Sequence, residues 1–158
     1  MNNNRENLQI IRNLTFKLTL RDEDVFEDHR LFTLLQESTG DGYWDWDMVK
    51  GIKYMSPSYK KQLGYSPEEI QNLADGDGKM VDCESLESAK ESVEKHILSK
   101  GTIPYSSIMK YIHKEGHEVW ILCRGSVVEW DGDKPLRMVG THVDITQTIE
   151  KIKKCCNG

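Results

Sequence analysis

Residues 105–146 read YSSIMKYIHKEGHEVWILCRGSVVEWDGDKPLRMVGTHVDIT, and this stretch decides the fold. Side chains alternate in character along Tyr105 to Lys114, His117 to Trp130 and Leu136 to Thr146. A period of two is the mark of strands with one face buried. Lys114-Glu115-Gly116 and Asp131-Gly132-Asp133 interrupt the alternation with residues suited to hairpin turns. Three long antiparallel strands are therefore predicted. Asp144-Ile145-Thr146-Gln147 then offers a capping box into a last short helix.

Upstream, Tyr43 to Met48 and Ile52 to Met55 read as two shorter strands joined at Val49-Lys50-Gly51. Ser56-Pro57 places a capping hydroxyl before a proline at a first helical position, and Gly64 ends that helix. Ser66-Pro67-Glu68-Glu69 repeats the signal and adds Glu69 as the returning arm of a capping box, so a second helix is predicted there. Asp75-Gly76-Asp77-Gly78 reads as a loop. A longer helix runs from about Glu84 to Ser99, with Leu86, Ala89, Val93 and Ile97 at helical spacing and Gly101 after it.

At the N-terminus, Leu8 to Leu20 is read as helical, with Leu8, Ile11, Leu14 and Leu18 on one stripe. Arg21 to Asp28 is an acidic linker. Asp28 to Ser38 is a helix with Leu31, Leu34 and Leu35 on one face, and Gly40 is placed to end it. The expected division is an extension over 1–27, a domain over 28–147 and a C-terminal helix and tail over 148–158. Two strands, then helices, then three antiparallel strands make an α+β fold with its helices gathered on one sheet face.

Composition narrows the function. The chain has 158 residues and a formal charge of −5. Without a clustered basic face, nucleic acid is not an expected partner. The longest apolar run, Val119 to Cys123, is too short to span a bilayer. No basic segment leads into an apolar one at the start, and the four cysteines form no CxxC, so a reducing cytosol is the expected location. Cys155 and Cys156 fall in what reads as a frayed tail.

Four segments together resemble a known family. Gly42-Tyr43-Trp44-Asp45-Trp46-Asp47 is similar to the first strand of PAS domains. Tyr54 to Tyr59 and Leu63 to Glu69 are similar to the second strand and the helices after it. His113-Lys114-Glu115-Gly116 with Trp120 resembles the family's "kDG…W" hairpin, and Gly140 to Thr146 its terminal "G…DIT" signature. Residues from about Phe32 to Lys153 thus resemble a PAS domain with its PAC half, of the kind found in bacterial sensor kinases and cyclic-dinucleotide enzymes. Val81-Asp82-Cys83-Glu84 departs from the pattern.

The resemblance implies a five-stranded antiparallel sheet in the order 2-1-5-4-3, with helices enclosing a small cavity. It implies a sensory or interaction module, not an enzyme, that binds a small ligand or a protein effector. Two other readings stand beside it: a sensory fragment of a larger kinase or cyclic-dinucleotide enzyme, and a purely structural dimerisation domain with a filled cavity. The candidate pocket is Leu86, Ala89, Val93, Met109, Tyr111 and His113. Trp44 and Tyr54 match the family's Trp-x9-Tyr spacing and, with Asp144 and Thr146, are the candidate relay, a bonded indole or phenol tying the helix cap to the sheet. Leu8, Ile11, Leu14 and Leu18 are the candidate homodimer surface.

Dedicated chemistry is not expected. In haem-binding relatives the axial histidine sits near the start of the long helix, where this chain has Ser88; His96, near the other end, reads as a polar residue that favours the helix dipole. A photoactive flavin domain would need a reactive thiol. Cys83 lies between Asp82 and Glu84, whose charges oppose a thiolate. His113, His117, Cys123 and His142 do not have the spacing of a helical ligand pair, so no metal site is expected. No phosphate loop, GxSxG or HExxH occurs. Asp45 and Asp47 share one strand face, as on a solvated edge.

Overall fold

The computed structural model describes residues 34–36, 38–70 and 78–156. The expected dimer stripe of Leu8, Ile11, Leu14 and Leu18, the acidic linker and most of the loop at 75–78 lie outside them. The chain divides into two compact units, 1–39 and 40–158. In the first, the described residues 34–36 and 38–39 are helical, and the Ser38 and Thr39 hydroxyls both donate to the Leu35 carbonyl.

The second unit holds β1 (Gly42–Asp47), β2 (Ile52–Met55), α1 (Pro57–Gln62), a 3-10 turn at Gly78–Met80, α2 (Cys83–Leu98), β3 (Tyr105–Ile112), β4 (Glu118–Asp131), β5 (Lys134–Asp144) and α3 (Thr146–Cys156). All strand pairs are antiparallel, in the order β2-β1-β5-β4-β3. Edges fall at β2 and β3, so β1 is internal. Asp45 is accordingly on no solvated edge: Arg137 on β5 grips its carboxylate through Nε at 2.8 Å and Nη2 at 2.5 Å.

The register aligns one residue from each strand in a single row: Met55, Trp44, Gly140, Gly125, Tyr105. Two glycines occupy its centre for a steric reason. A Cβ on Gly140 would lie 2.3 Å from Trp44 Cζ2, and one on Gly125 would lie 2.6 Å from Trp44 Cη2. The indole lies across both and meets Tyr105 edge-on, with ring centroids 6.1 Å apart. Alternation completes the face: Tyr105, Ser107, Met109 and Tyr111 point inward from β3 while Ser106, Ile108 and Ile112 are exposed.

Helix α2 begins one residue before the predicted start. Asp82 is its cap, its carboxylate accepting from the Ser85 amide at 3.0 Å, and that bond is the first cause of its lowered pKa. The Asp82 amide donates to the Lys110 carbonyl, and the Lys110 amide to Ser85 Oγ, which fixes the helix along β3.

Three expectations are corrected. Among the described residues, 65–70 form a turn instead of a helix. The Ser66 amide does donate to Glu69 at 2.8 Å, but Lys60, only 4% exposed, takes the Pro67 and Ile70 carbonyls that a helix would use internally. His96 is no dipole-facing surface residue: it is fully buried, accepting from the Val127 amide at Nε2 and bonding the Ile103 carbonyl through Nδ1. Cys155 and Cys156 continue α3 as exposed helical residues instead of fraying.

Gly140→Ala is expected to cost about 3 kcal/mol, the upper end for overpacking, because its Cβ would also meet the Arg124 carbonyl, which cannot swing aside. Gly78→Ala, where a Cβ meets nothing within 4 Å, should stay within about 0.5 kcal/mol. Urea unfolding of the two variants checks both.

Candidate functional site: a cavity under the long helix

Helix α2 stands off the sheet and leaves a cavity of about 640 Å³. Leu86, Ala89, Val93 and Ile97 form its roof, the stripe that helical spacing gave. Trp44 and Trp46 from β1, Tyr105, Met109 and Tyr111 from β3, Cys123 from β4 and Met138 from β5 form its floor. Tyr59 of α1 closes one end, its hydroxyl 3.2 Å from that of Tyr111. The charged groups in the lining, Lys53, Lys90 and Glu94, are half-buried or exposed. The interior is therefore apolar, with a pair of mutually bonded phenols.

Five of the six expected pocket residues, Leu86, Ala89, Val93, Met109 and Tyr111, line this cavity together. His113 does not. β3 ends at Ile112, and the His113 ring turns away onto Gly64, where even a Cβ would lie 2.4 Å from its Cε1. Strand alternation breaks at the hairpin, so the extrapolated face no longer applies.

The four relay candidates split into separate places. Trp44 is buried at 4% on the inner face, whereas Tyr54 is 40% exposed on the outer face against Tyr43. Burial and a hydrogen bond with Tyr54 push the Tyr43 phenol up to about 12. Trp44 Nε1 has no hydrogen-bond partner among the described residues, so no indole bond reaches the helix cap. Asp144 lies four residues along β5 from Gly140, roughly 13 Å at the usual strand rise.

What anchors the exiting helix is instead the backbone of Trp120. Asp144 Oδ1 accepts from the Thr146 amide at 2.9 Å and from its hydroxyl at 2.6 Å. Thr146 Oγ1 in turn accepts from the Trp120 amide at 2.9 Å, and the Ile145 amide donates to the Trp120 carbonyl at 2.8 Å. Lys153 of α3 then lies over the Trp120 ring, 5.2 Å from its centroid. A backbone partner leaves no signature in sequence, which is why the pattern pointed to the indole of Trp44.

His142 is a second residue that sequence reading undervalued. It is fully buried, stacked on Tyr59 at 3.6 Å, with Nδ1 2.7 Å from Gln62 Oε1. It thus clamps α1 to β5. Opposite it on β4 sits buried Cys123.

The PAS fold family model matches residues 52–142. This chain belongs to the PAS-fold family. Its sheet and helices are similar to a sensory box histidine kinase/response regulator from Burkholderia thailandensis, 23% identical at a TM-score of 0.68 over 78% of this chain and 91% of that one. They are also similar to the N-terminal domain of a diguanylate cyclase with PAS/PAC sensor from Marinobacter aquaeolei, 19% identical at 0.58 over 68% and 97%. A third likeness is a LOV domain from a blue-light activated histidine kinase of Erythrobacter litoralis EL346, 14% identical at 0.50 over 66% and 94%. No curated protein matches the sequence. None of the helices formed by the described residues is long and apolar enough to cross a membrane.

Thr146→Val removes the acceptor of the Trp120 amide and should cost about 1–3 kcal/mol. Trp44→Phe and Asp144→Ala share no partner and are expected to add within about 0.5 kcal/mol. Chemical denaturation of the single and double variants measures both.

Proposed function

We propose that this chain is a PAS sensory module that takes an uncharged, largely apolar organic ligand beneath α2 and passes its occupancy to α3 through β4. The observation that carries the reading is the cavity itself: about 640 Å³, with aromatic and aliphatic walls and charged groups at the rim. A volume of this order suits a small organic molecule. A carboxylate bound deep among the apolar walls would have to be desolvated away from Lys53 and Lys90 at the rim, which favours an uncharged ligand over an organic acid. The space left by the side chains also favours ligand binding over a filled dimerisation core.

The route outward starts at Cys123 on the cavity floor. Three residues before it on β4 stands Trp120, whose amide and carbonyl hold Thr146 and Ile145 at the start of α3. A ligand that shifts β4 acts directly on that anchor. Trp44 belongs to the cavity in this reading, while Asp144 and Thr146 belong to the output. The module makes and breaks no bonds of its own. Its partners are a second copy of the chain, through Leu8, Ile11, Leu14 and Leu18, and a protein effector. Its place is the cytoplasm, as part of the signalling arm of a larger kinase or cyclic-dinucleotide enzyme, or alone.

Flavin is the alternative occupant, favoured by the likeness to a blue-light activated domain. Cys83 is exposed at the start of α2 and is not part of the cavity lining, so it supplies no thiol to a ring bound there. Absorption above ~350 nm by the purified protein distinguishes a flavin from a colourless ligand.

Native mass spectrometry of the purified chain, and thermal shift against a panel of neutral aromatic and aliphatic compounds, test the reading. Val93→Phe fills the roof and is expected to lower affinity by about tenfold or more while the fold stays intact by circular dichroism. A panel without binders, or binders indifferent to Val93→Phe, would contradict it.

A further inference from the structure

The β3–β4 hairpin brings together His113 and His117, which the sequence reading set aside as metal ligands, and Glu115, which it read only as part of the turn. His113, Glu115 and His117 each offer one ligand atom, and these atoms all lie within 4.8 Å of one another. Their spacing is not that of a helical pair. The hairpin supplies the proximity instead: the His113 amide donates to the His117 carbonyl, the Gly116 amide to the His113 carbonyl, and Gly116 takes φ +90° to close the turn. The two imidazoles therefore stand side by side, centroids 4.1 Å apart and planes 22° from parallel.

Two features make this more than a surface coincidence. First, His113 is held. Its side chain is only 15% exposed, lodged against Gly64, and the Lys114 amide beside it donates to the Leu63 carbonyl. Second, the ring nitrogen that faces the turn is the one with a lone pair: Nδ1 accepts from the Glu115 amide at 3.1 Å, which puts the neutral ring's proton on Nε2. Glu115 Oε2 already sits 3.9 Å from that Nδ1. Ligands of a tetrahedral zinc-class ion at 2.0–2.1 Å stand about 3.4 Å apart with their lone pairs convergent, so the exposed His117 ring must turn out of the stack and the exposed Glu115 side chain must rotate to close the set on the held His113. Charge also favours it. Lys114 is engaged by Glu69 and lies over the Tyr65 ring, and among the described residues Glu115 has no lysine or arginine partner.

The geometry points to a divalent metal site at the tip of the β3–β4 hairpin, formed by His113 Nδ1, a His117 ring nitrogen and Glu115, with water completing the coordination of a zinc-class ion. Two imidazoles and one carboxylate suit zinc over magnesium or calcium, which prefer all-oxygen shells. The ion takes the place of the hydrogen bond from the Glu115 amide, which faces solvent at an exposed turn and rebinds water. The site is open and lies outside the cavity lining. Its structural effect is to staple the hairpin tip that Lys114 already ties to residues 63–69.

Zinc titration of the full chain by calorimetry tests this, in a Cys83→Ser, Cys155→Ser, Cys156→Ser background that removes the exposed thiols as rival ligands. One ion per chain with micromolar affinity is expected, with the imidazole proton resonances of His113 and His117 shifting together. His117→Ala, which alters an exposed ring, should weaken binding by about tenfold or more, and Glu115→Gln by a smaller factor. Absence of zinc binding, or affinity and imidazole shifts unchanged by His117→Ala, would overturn the assignment. Neither result bears on whether the cavity takes an organic ligand.

Discussion

One indole on two glycines sets the geometry of this molecule. Trp44 lies flat over Gly140 and Gly125, and a Cβ at either position would intrude to 2.6 Å or less. The contact fixes the relative register of β1, β5 and β4, and the edge-on Tyr105 in the same row extends it to β3. A slip of one residue would turn Trp44 to solvent and set a side chain where only hydrogen fits. The large ring spreads along the floor instead of rising from it. That leaves vertical room beneath α2, whose own lining residue at mid-helix is the small Ala89. The cavity is thus a consequence of how the sheet is locked, and not a defect in packing.

The same sheet explains why the cavity and the start of α3 are close. β4 and β5 are its longest strands and each serves twice. Inward, Cys123 and Met138 meet the cavity. At its start, β4 presents the Trp120 backbone to α3, and the end of β5 carries Asp144. A single strand, β4, thus joins the cavity floor at Cys123 to the α3 anchor at Trp120.

Much of this was legible in sequence, and most of the failures share a cause. Alternation from Tyr105 onward located three strands to within two residues, because half-buried strands advertise themselves at a period of two. Leu86, Ala89 and Val93 stand at helical spacing, and the family resemblance placed that stripe over the pocket. Readings failed where a residue's fate depends on a distant backbone group. Ser66-Pro67 has every mark of a helix start, yet Lys60 captures the carbonyls that follow. His96 looks like a terminal polar residue, yet it bridges the Ile103 carbonyl and the Val127 amide. Trp120 has no sequence mark as an anchor, since its amide and carbonyl do the holding. His113 was misplaced because a period-two extrapolation ran past the end of its strand.

The central claim is the Trp44–glycine stack, and proton NMR tests it most directly. A proton held against the face of an indole is shifted upfield by the ring current. The account predicts that the Hα protons of Gly125 and Gly140 resonate well upfield of ordinary strand glycines, with nuclear Overhauser contacts to the Trp44 ring, and that both effects vanish in Trp44→Leu. Glycine Hα shifts in the ordinary strand range, with no contact to Trp44, would contradict it.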